Sequence, residues 1–209
     1  GETLLQQELS DEAIRLARLL VQLLPDPEAV GLLALMLLQA SRQRARIDGQ
    51  GDLVVLEQQD RSLWDRQFIA EGCALVRQAL QSRAFGAYTV QAAIAAVHAE
   101  AATAEETDWG EIVGLYDVLQ RYWPSAVVAL NRAVALAKRD GPEVGLREVE
   151  GILARGELLD YHLAHAARAE LHCQLGQVEE ARAAWQQALA LTRQAPERRH
   201  IERRLQAIE

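Results

Sequence analysis

The sequence predicts an all-α fold: a right-handed stack of helical hairpins, about ten helices, broken by one irregular or small-hairpin insertion near residues 46–65. Three observations point there. The composition is dominated by Ala, Leu, Glu, Arg and Gln, all good helix formers, and β-branched runs are nearly absent. Apolar residues recur at helical spacing between Pro and Gly stops. Small residues in the second half of the chain recur at a fixed interval.

The helices follow in order. Ser10-Asp11-Glu12 precedes an apolar stripe through Ala13, Ile14, Leu16, Ala17, Leu20, Leu23 and Leu24, with the acids suited to a helix N-terminus; Pro25-Asp26-Pro27 ends it. A second helix runs from Glu28 to about Arg44, and its stretch Val30–Leu38 is apolar on all sides, which predicts cover on more than one face. Periodicity lapses from Asp48 to Gln59, where Asp48-Gly49-Gln50-Gly51-Asp52 is turn chemistry between two short extended segments. Further helices are expected over Trp64–Ser82, Tyr88–Ala101, Trp109–Tyr122, Ser125–Arg139, Pro142–Ala154, Leu159–Leu175, Val178–Thr192 and Pro196–Ala207. Asp140-Gly141 and Gly176 are read as stops.

The repeat lies in the second half. Ala169, Ala181, Trp185 and Ala188 follow the small, small, large, small spacing of a tetratricopeptide helix pair, and Ala133, Gly145, Val149 and Ile152 follow it more loosely. Thirty-six positions separate Ala133 from Ala169 and Gly145 from Ala181. Ile112, Tyr116, Leu119 and Pro124 look like the end of an earlier unit. Ala or Gly at a crossing lets two backbones approach to ~8–10 Å, and the larger residue fills the gap to the next pair. A single helical domain over 1–209 is expected, irregular over 1–105 and repeat-like over 106–209. The concave side of such a stack holds peptides or other domains. Asn131, Arg132, His165 and Arg168, just ahead of the two crossing alanines, are the candidate groove residues. Asn131 in this place either bonds a bound peptide's backbone or bonds a neighbouring helix.

The densest polar cluster is the stretch Asp60-Arg61-Ser62-Leu63-Trp64-Asp65-Arg66. A connecting loop needs Gly, Pro, Asn or Ser. This one carries two acids, two arginines and a tryptophan. It reads as a polar knot, with Arg61 and Arg66 forking onto Asp60 and Asp65 and Trp64 as apolar anchor. The simpler reading is a junction with Asp65 capping the next helix.

Charge and motifs exclude several classes. A net charge of −8 argues against nucleic-acid binding by overall field. The arginine groups 42, 44, 46 and 198, 199, 203, 204 read as solvated helix faces. Cys73 and Cys173 read as buried free thiols, with no disulfide framework. No cofactor fingerprint is present. His162, His165 and His172 share one helix with Glu170, but lack a tight ligand motif, so no metal site is assigned. His98-Ala99-Glu100 matches half of a deaminase motif whose P-C-x-x-C half is missing. No signal peptide or spanning segment is read, which places the protein in the cytoplasm without membrane contact. The chain opens on Gly1-Glu2-Thr3 in mid-pattern, as a domain cut from a longer protein would.

Several blocks together resemble a known family. They are Leu33–Leu38, Arg44-Ala45-Arg46-Ile47-Asp48, Gly51–Leu56, Gln59–Asp65, Tyr88–Glu100, Thr107-Asp108-Trp109, Ser125–Ala135 and Tyr161–Ala169. In this order they resemble the C-terminal, tetratricopeptide-like extension of bacterial extracytoplasmic-function sigma factors. The resemblance spans essentially the whole chain. It implies a regulatory domain whose DNA- and polymerase-binding domains lie upstream of Gly1 and are missing here. It also implies partners: the sigma core domains, RNA polymerase and a small protein related to the YCII family, with DNA met only through the upstream domains. The chain departs from the family pattern at Gln58-Gln59, where an acid is expected, and at Gln39, where a His is expected. Two other classes compete. One is a small-molecule sensor using the surface beside residues 60–66 and 98–109; the other is a hydrolase built on the histidines at 162, 165 and 172.

Overall fold

The computed structural model describes residues 2–208, with side chains from residue 8 onward. Gly1, the first residue of the opening read in mid-pattern, lies outside the described residues. Among them the chain is all-α, with ten α-helices and no strand: α1 (Glu2–Leu23), α2 (Pro27–Ala40), α3 (Arg66–Gln81), α4 (Ala87–Glu100), α5 (Trp109–Tyr122), α6 (Ala126–Asp140), α7 (Pro142–Ala154), α8 (His162–Gln174), α9 (Val178–Leu191) and α10 (Ala195–Gln206). None of the described helices is long and apolar enough to cross a membrane. The chain divides into two compact units, residues 1–47 with 54–108, and residues 48–53 with 109–209.

In the first unit α2 is the hub, packing on α1, α3 and α4. Its apolar run is buried at Val30, Gly31, Leu33, Ala34, Leu37 and Leu38, which explains why it lacks a polar face. The helix stops at Ala40, short of Arg44. Ser41 caps it, its hydroxyl donating to the Leu38 carbonyl at 2.7 Å, and the chain turns into a 3-10 segment at Gln43–Ala45. The N-terminus of α4 is completed from outside. Its own cap position, Gly86, has no side chain, and the Glu28 carboxylate of α2 takes the N–H groups of Gly86 (2.7 Å), Tyr88 (3.0 Å) and Thr89 (3.1 Å). The Thr89 hydroxyl donates to the same carboxylate at 2.8 Å. That crossing is tight: a Cβ on Gly31 would lie 2.3 Å from Thr89 Oγ1. At the other end of the unit, α1 passes straight through Asp11 and Glu12, which the sequence places at a helix start. Glu12 serves instead as an i,i+3 partner of Arg15 at 2.7 Å.

The second unit packs α5 to α10 in consecutive pairs. The repeat positions sit where the spacing puts them, in the crossings. Ala133, Val149, Ile152, Ala169, Ala181, Trp185 and Ala188 are all buried. At Gly145 a Cβ would meet Ala137 Cβ at 2.4 Å and the Ala133 carbonyl at 2.8 Å, so only glycine fits between α6 and α7. Ile112 and Leu119 of α5 are buried as well. Ser125 caps α6 through Val128 N–H at 3.1 Å. Segment 48–53 joins this unit through Asp52, whose carboxylate accepts from Arg199 Nε (2.6 Å) and Arg203 Nη1 (2.7 Å) on α10.

The insertion forms no hairpin strands. Two backbone bonds close its loop, Val54 N–H to Arg46 C=O at 2.9 Å and Asp48 N–H to Asp52 C=O at 3.0 Å. Beyond it the chain makes 3-10 turns at Leu56–Gln58 and Arg61–Leu63 before α3.

Candidate functional site

The arginine-bearing segments 41–46 and 59–66 between α2 and α3 are the candidate site, and both belong to the first unit. Backbone geometry comes first. Asp65 N–H donates to the Ser41 carbonyl at 2.8 Å, tying the start of α3 to the end of α2. Both acids of the knot are caps. Asp60 accepts from Ser62 N–H at 2.9 Å, and Asp65 from the N–H groups of Gln67 (2.9 Å) and Phe68 (3.0 Å). The Ser62 hydroxyl, and then the Ser62 N–H, hold the Asp60 carboxyl below the usual range.

The arginines therefore do not fork onto Asp60 and Asp65. With those carboxylates committed to helix N-termini, the guanidiniums turn to carbonyl and amide oxygens. Arg61 Nη1 donates to the carbonyls of His98 (2.8 Å) and Ala101 (2.6 Å), satisfying open acceptors at the C-terminal end of α4. Among the described residues Arg66 reaches only the Arg61 carbonyl, at 3.4 Å. Trp64 is the apolar anchor, 3 % exposed, with the Arg61 guanidinium 4.5 Å from its ring centroid. Its indole N–H is buried without a partner, as is the side-chain carbonyl of Gln59.

Arg42 and Arg46 complete the cluster, and they are not the solvated face that their spacing suggests. Both converge on one oxygen, Gln39 Oε1, from Arg42 Nη2 at 2.7 Å and Arg46 Nη2 at 2.6 Å. Burial, then the neighbouring Arg46, pushes Arg42 down to about 10. Burial lowers Arg46 too. His98 is pushed down to about 4 by burial and then by Arg42 and Arg61, against a weaker opposite pull from Glu57. Arg42 and Arg46 are thus joined at Gln39, and the partly buried His98 imidazole feels both Arg42 and Arg61.

The groove residues of the second unit are placed differently from one another. Asn131 is exposed on α6. Arg132 is tied down, its Nε donating to Asp117 of α5 at 2.6 Å. His165 is 2 % exposed and sits inside the packing, its Nε2 donating to the Leu159 carbonyl at 2.8 Å. Arg168 is half-buried and reaches Gln187 of α9 at 3.5 Å. The three α8 histidines have separate partners: His162 lies 3.2 Å from Glu197, His165 on Leu159, and His172 Nδ1 2.6 Å from Gln177 Oε1. Among the described residues no three His, Cys, Asp or Glu side chains gather as a metal site would need.

One feature of the first unit has no signal in the polar motifs. Helix α1 buries Ile14 and Ala17 against Leu33 and Leu37, while its other side carries exposed Leu9 (62 %), Leu16 (52 %) and Leu23 (85 %), spaced by seven. Leu19 and Leu20 widen this stripe, and Leu24, just past the end of α1, is exposed as well. The heptad spacing was legible in the sequence, but it merged with the buried stripe.

A family model described as a family of unknown function (DUF6596) matches residues 1–80, which covers α1, α2, the insertion and most of α3. An uncharacterized protein of Rhizobium meliloti is 51% identical over 199 residues, 95% of this chain and 47% of its own length. No solved structure matches. The chain spans about half the length of the curated relative it matches.

Proposed function

We propose that this chain is a regulatory protein-interaction domain of an extracytoplasmic-function RNA polymerase sigma factor. It acts on promoter-dependent initiation by contacting the sigma core domains, polymerase or a small partner protein. The observation that carries the binding half of this reading is the leucine stripe of α1. A surface helix of a self-contained domain buries its apolar face; this one shows a second apolar side to solvent, a mark of interaction surfaces. The arrangement of the blocks that resemble the sigma-factor extension supports the rest, and a relative about twice as long fits a domain that works beside others in one chain. The helical pairs of the second unit supply a rigid scaffold of the kind that displays binding surfaces.

The test is capture of separately folded sigma core domains by this chain. Binding at low-micromolar concentration that is lost in a Leu16→Asp, Leu23→Asp double variant is the expected result. Both positions are exposed, so the variant keeps its fold. No binding at tens of micromolar with both pieces folded, or binding indifferent to the two substitutions, overturns the reading.

A further inference from the structure

The arginine cluster of the first unit has more donors than the protein uses. Arg42 commits only Nη2, to Gln39 Oε1; Arg46 commits only Nη2, to Gln39 O and Oε1; Arg61 commits only Nη1, to the carbonyls of His98 and Ala101. The other two nitrogens of each guanidinium have no hydrogen bond among the described residues. Each guanidinium offers five N–H donors in a fixed fork shaped for carboxylate or phosphate oxygens. Burial makes the want of a counter-charge costly. Neither Arg42 nor Arg46 has an acid among the groups that shift it; only Arg61 feels Glu105 and Glu106, and His98 feels Glu57. A second, independent observation lies beside Arg61. The Trp64 indole, against which Arg61 stacks, has a fully buried N–H donor with no acceptor. The indole thus adds an unmet buried donor beside the unspent Nε and Nη2 of Arg61.

We propose that Arg42, Arg46 and Arg61, with the indole N–H of Trp64, form a binding site for a small oxyanionic ligand, one bearing a phosphate or a carboxylate group. The ligand oxygens take the uncommitted guanidinium nitrogens, and charge-assisted bonds formed in a partly desolvated place are stronger than their surface equivalents. Gln39 holds Arg42 and Arg46 together by a neutral oxygen, which leaves their charge for the ligand. Arg61, fixed to the end of α4 and stacked on Trp64, is the rigid member. Nothing in this reading depends on a polypeptide partner, so it stands or falls apart from the sigma-factor proposal.

Calorimetric titration of the 209-residue chain with inorganic phosphate, with citrate and with sodium chloride at matched ionic strength tests it. Saturable one-to-one binding of phosphate or citrate, absent with chloride, is expected, and whichever binds tighter names the source of the oxyanion. Arg42→Gln and Arg46→Gln each weaken that binding roughly tenfold or more, as loss of one charge-assisted fork implies. Arg61→Lys keeps the charge, removes the fork and weakens it too. The His98 ring signals in NMR give a readout in the parent chain alone: they move with phosphate or citrate along one saturating curve. No saturable heat and no movement of those signals, an equal response to chloride, or unweakened binding in folded Arg variants each overturns the site.

Discussion

The two units solve the same packing problem with different chemistry. In the second, helices meet through small residues, with Gly145 against Ala133 and Ala137, and Ala169, Ala184 and Ala188 around Trp185. In the first, the crossings are locked by polar side chains that finish another helix's ends. Glu28 of α2 closes the start of α4, Arg61 closes its end, and Asp65 starts α3 while its backbone bonds to Ser41. The difference is one of range. Small-residue crossings belong to adjacent helices and repeat, whereas the polar locks join residues 24 to 61 positions apart. A regular stack can be extended by copying; a locked unit cannot, and it keeps its arginines and its leucine stripe in fixed places.

The largest expected effect falls on the lock. Trp64→Ala removes a nearly fully buried indole from under Arg61 and should cost ~3–5 kcal/mol by denaturant unfolding. A loss below about 1 kcal/mol would show that the ring is not packed, and would make the two units alike in their reliance on small residues. Glu28→Ala comes next. It strips three backbone N–H groups and one hydroxyl of their acceptor, for about 2–3 kcal/mol, and hydrogen exchange should quicken at Gly86, Tyr88 and Thr89. In the second unit, Gly145→Ala overfills the α6–α7 crossing for about 1–3 kcal/mol, with exchange quickening there and not at α4. If both variants loosened the same amides, the contrast in chemistry would not correspond to separate cooperative units.

This contrast also decides what the sequence could show. The second unit was legible because its rule is local. Proline and glycine stops gave α5 and α7 at their observed bounds, and the interval of small residues picked out the buried crossings. The Asp65 cap was legible for the same reason. The targets of Glu28 and Arg61 were not, because no spacing rule reaches across an intervening helix. Reading Asp60 and Asp65 as partners of Arg61 and Arg66 failed on competition: a backbone N–H two or three residues on is always at hand, and a guanidinium must be brought in. Arg42 and Arg46 read as a solvated face only if α2 runs on to Arg44; the helix stops at Ala40, and both guanidiniums reach Gln39. His165 looked like groove lining, but the segment before α8 offers it the Leu159 carbonyl and draws it inward.

A smaller effect sharpens the contrast through pH. In the first unit burial, with Arg42 and Arg61, holds His98 at about 4 in the folded chain, against an ordinary value of 6.5. Between those values the unfolded chain takes up a proton that the folded chain refuses. Stability from this group is therefore complete above about pH 6.5 and is lost as pH falls toward 4, by roughly 2 kcal/mol at pH 5. Paired unfolding curves for the parent and His98→Gln isolate the term, because carboxylates that titrate lower contribute equally to both chains. The variant should lose less between pH 7 and pH 5. Arg42→Gln relieves one of the two positive neighbours, so His98 should then titrate closer to its ordinary value by NMR. A parent and a His98→Gln chain with identical pH dependence would mean that the imidazole is hydrated and that the arginines around it are not gathered as tightly as the geometry shows. The polar lock of the first unit would then be no drier than the surface pair Arg132–Asp117 of the second, whose removal should cost under about 1 kcal/mol.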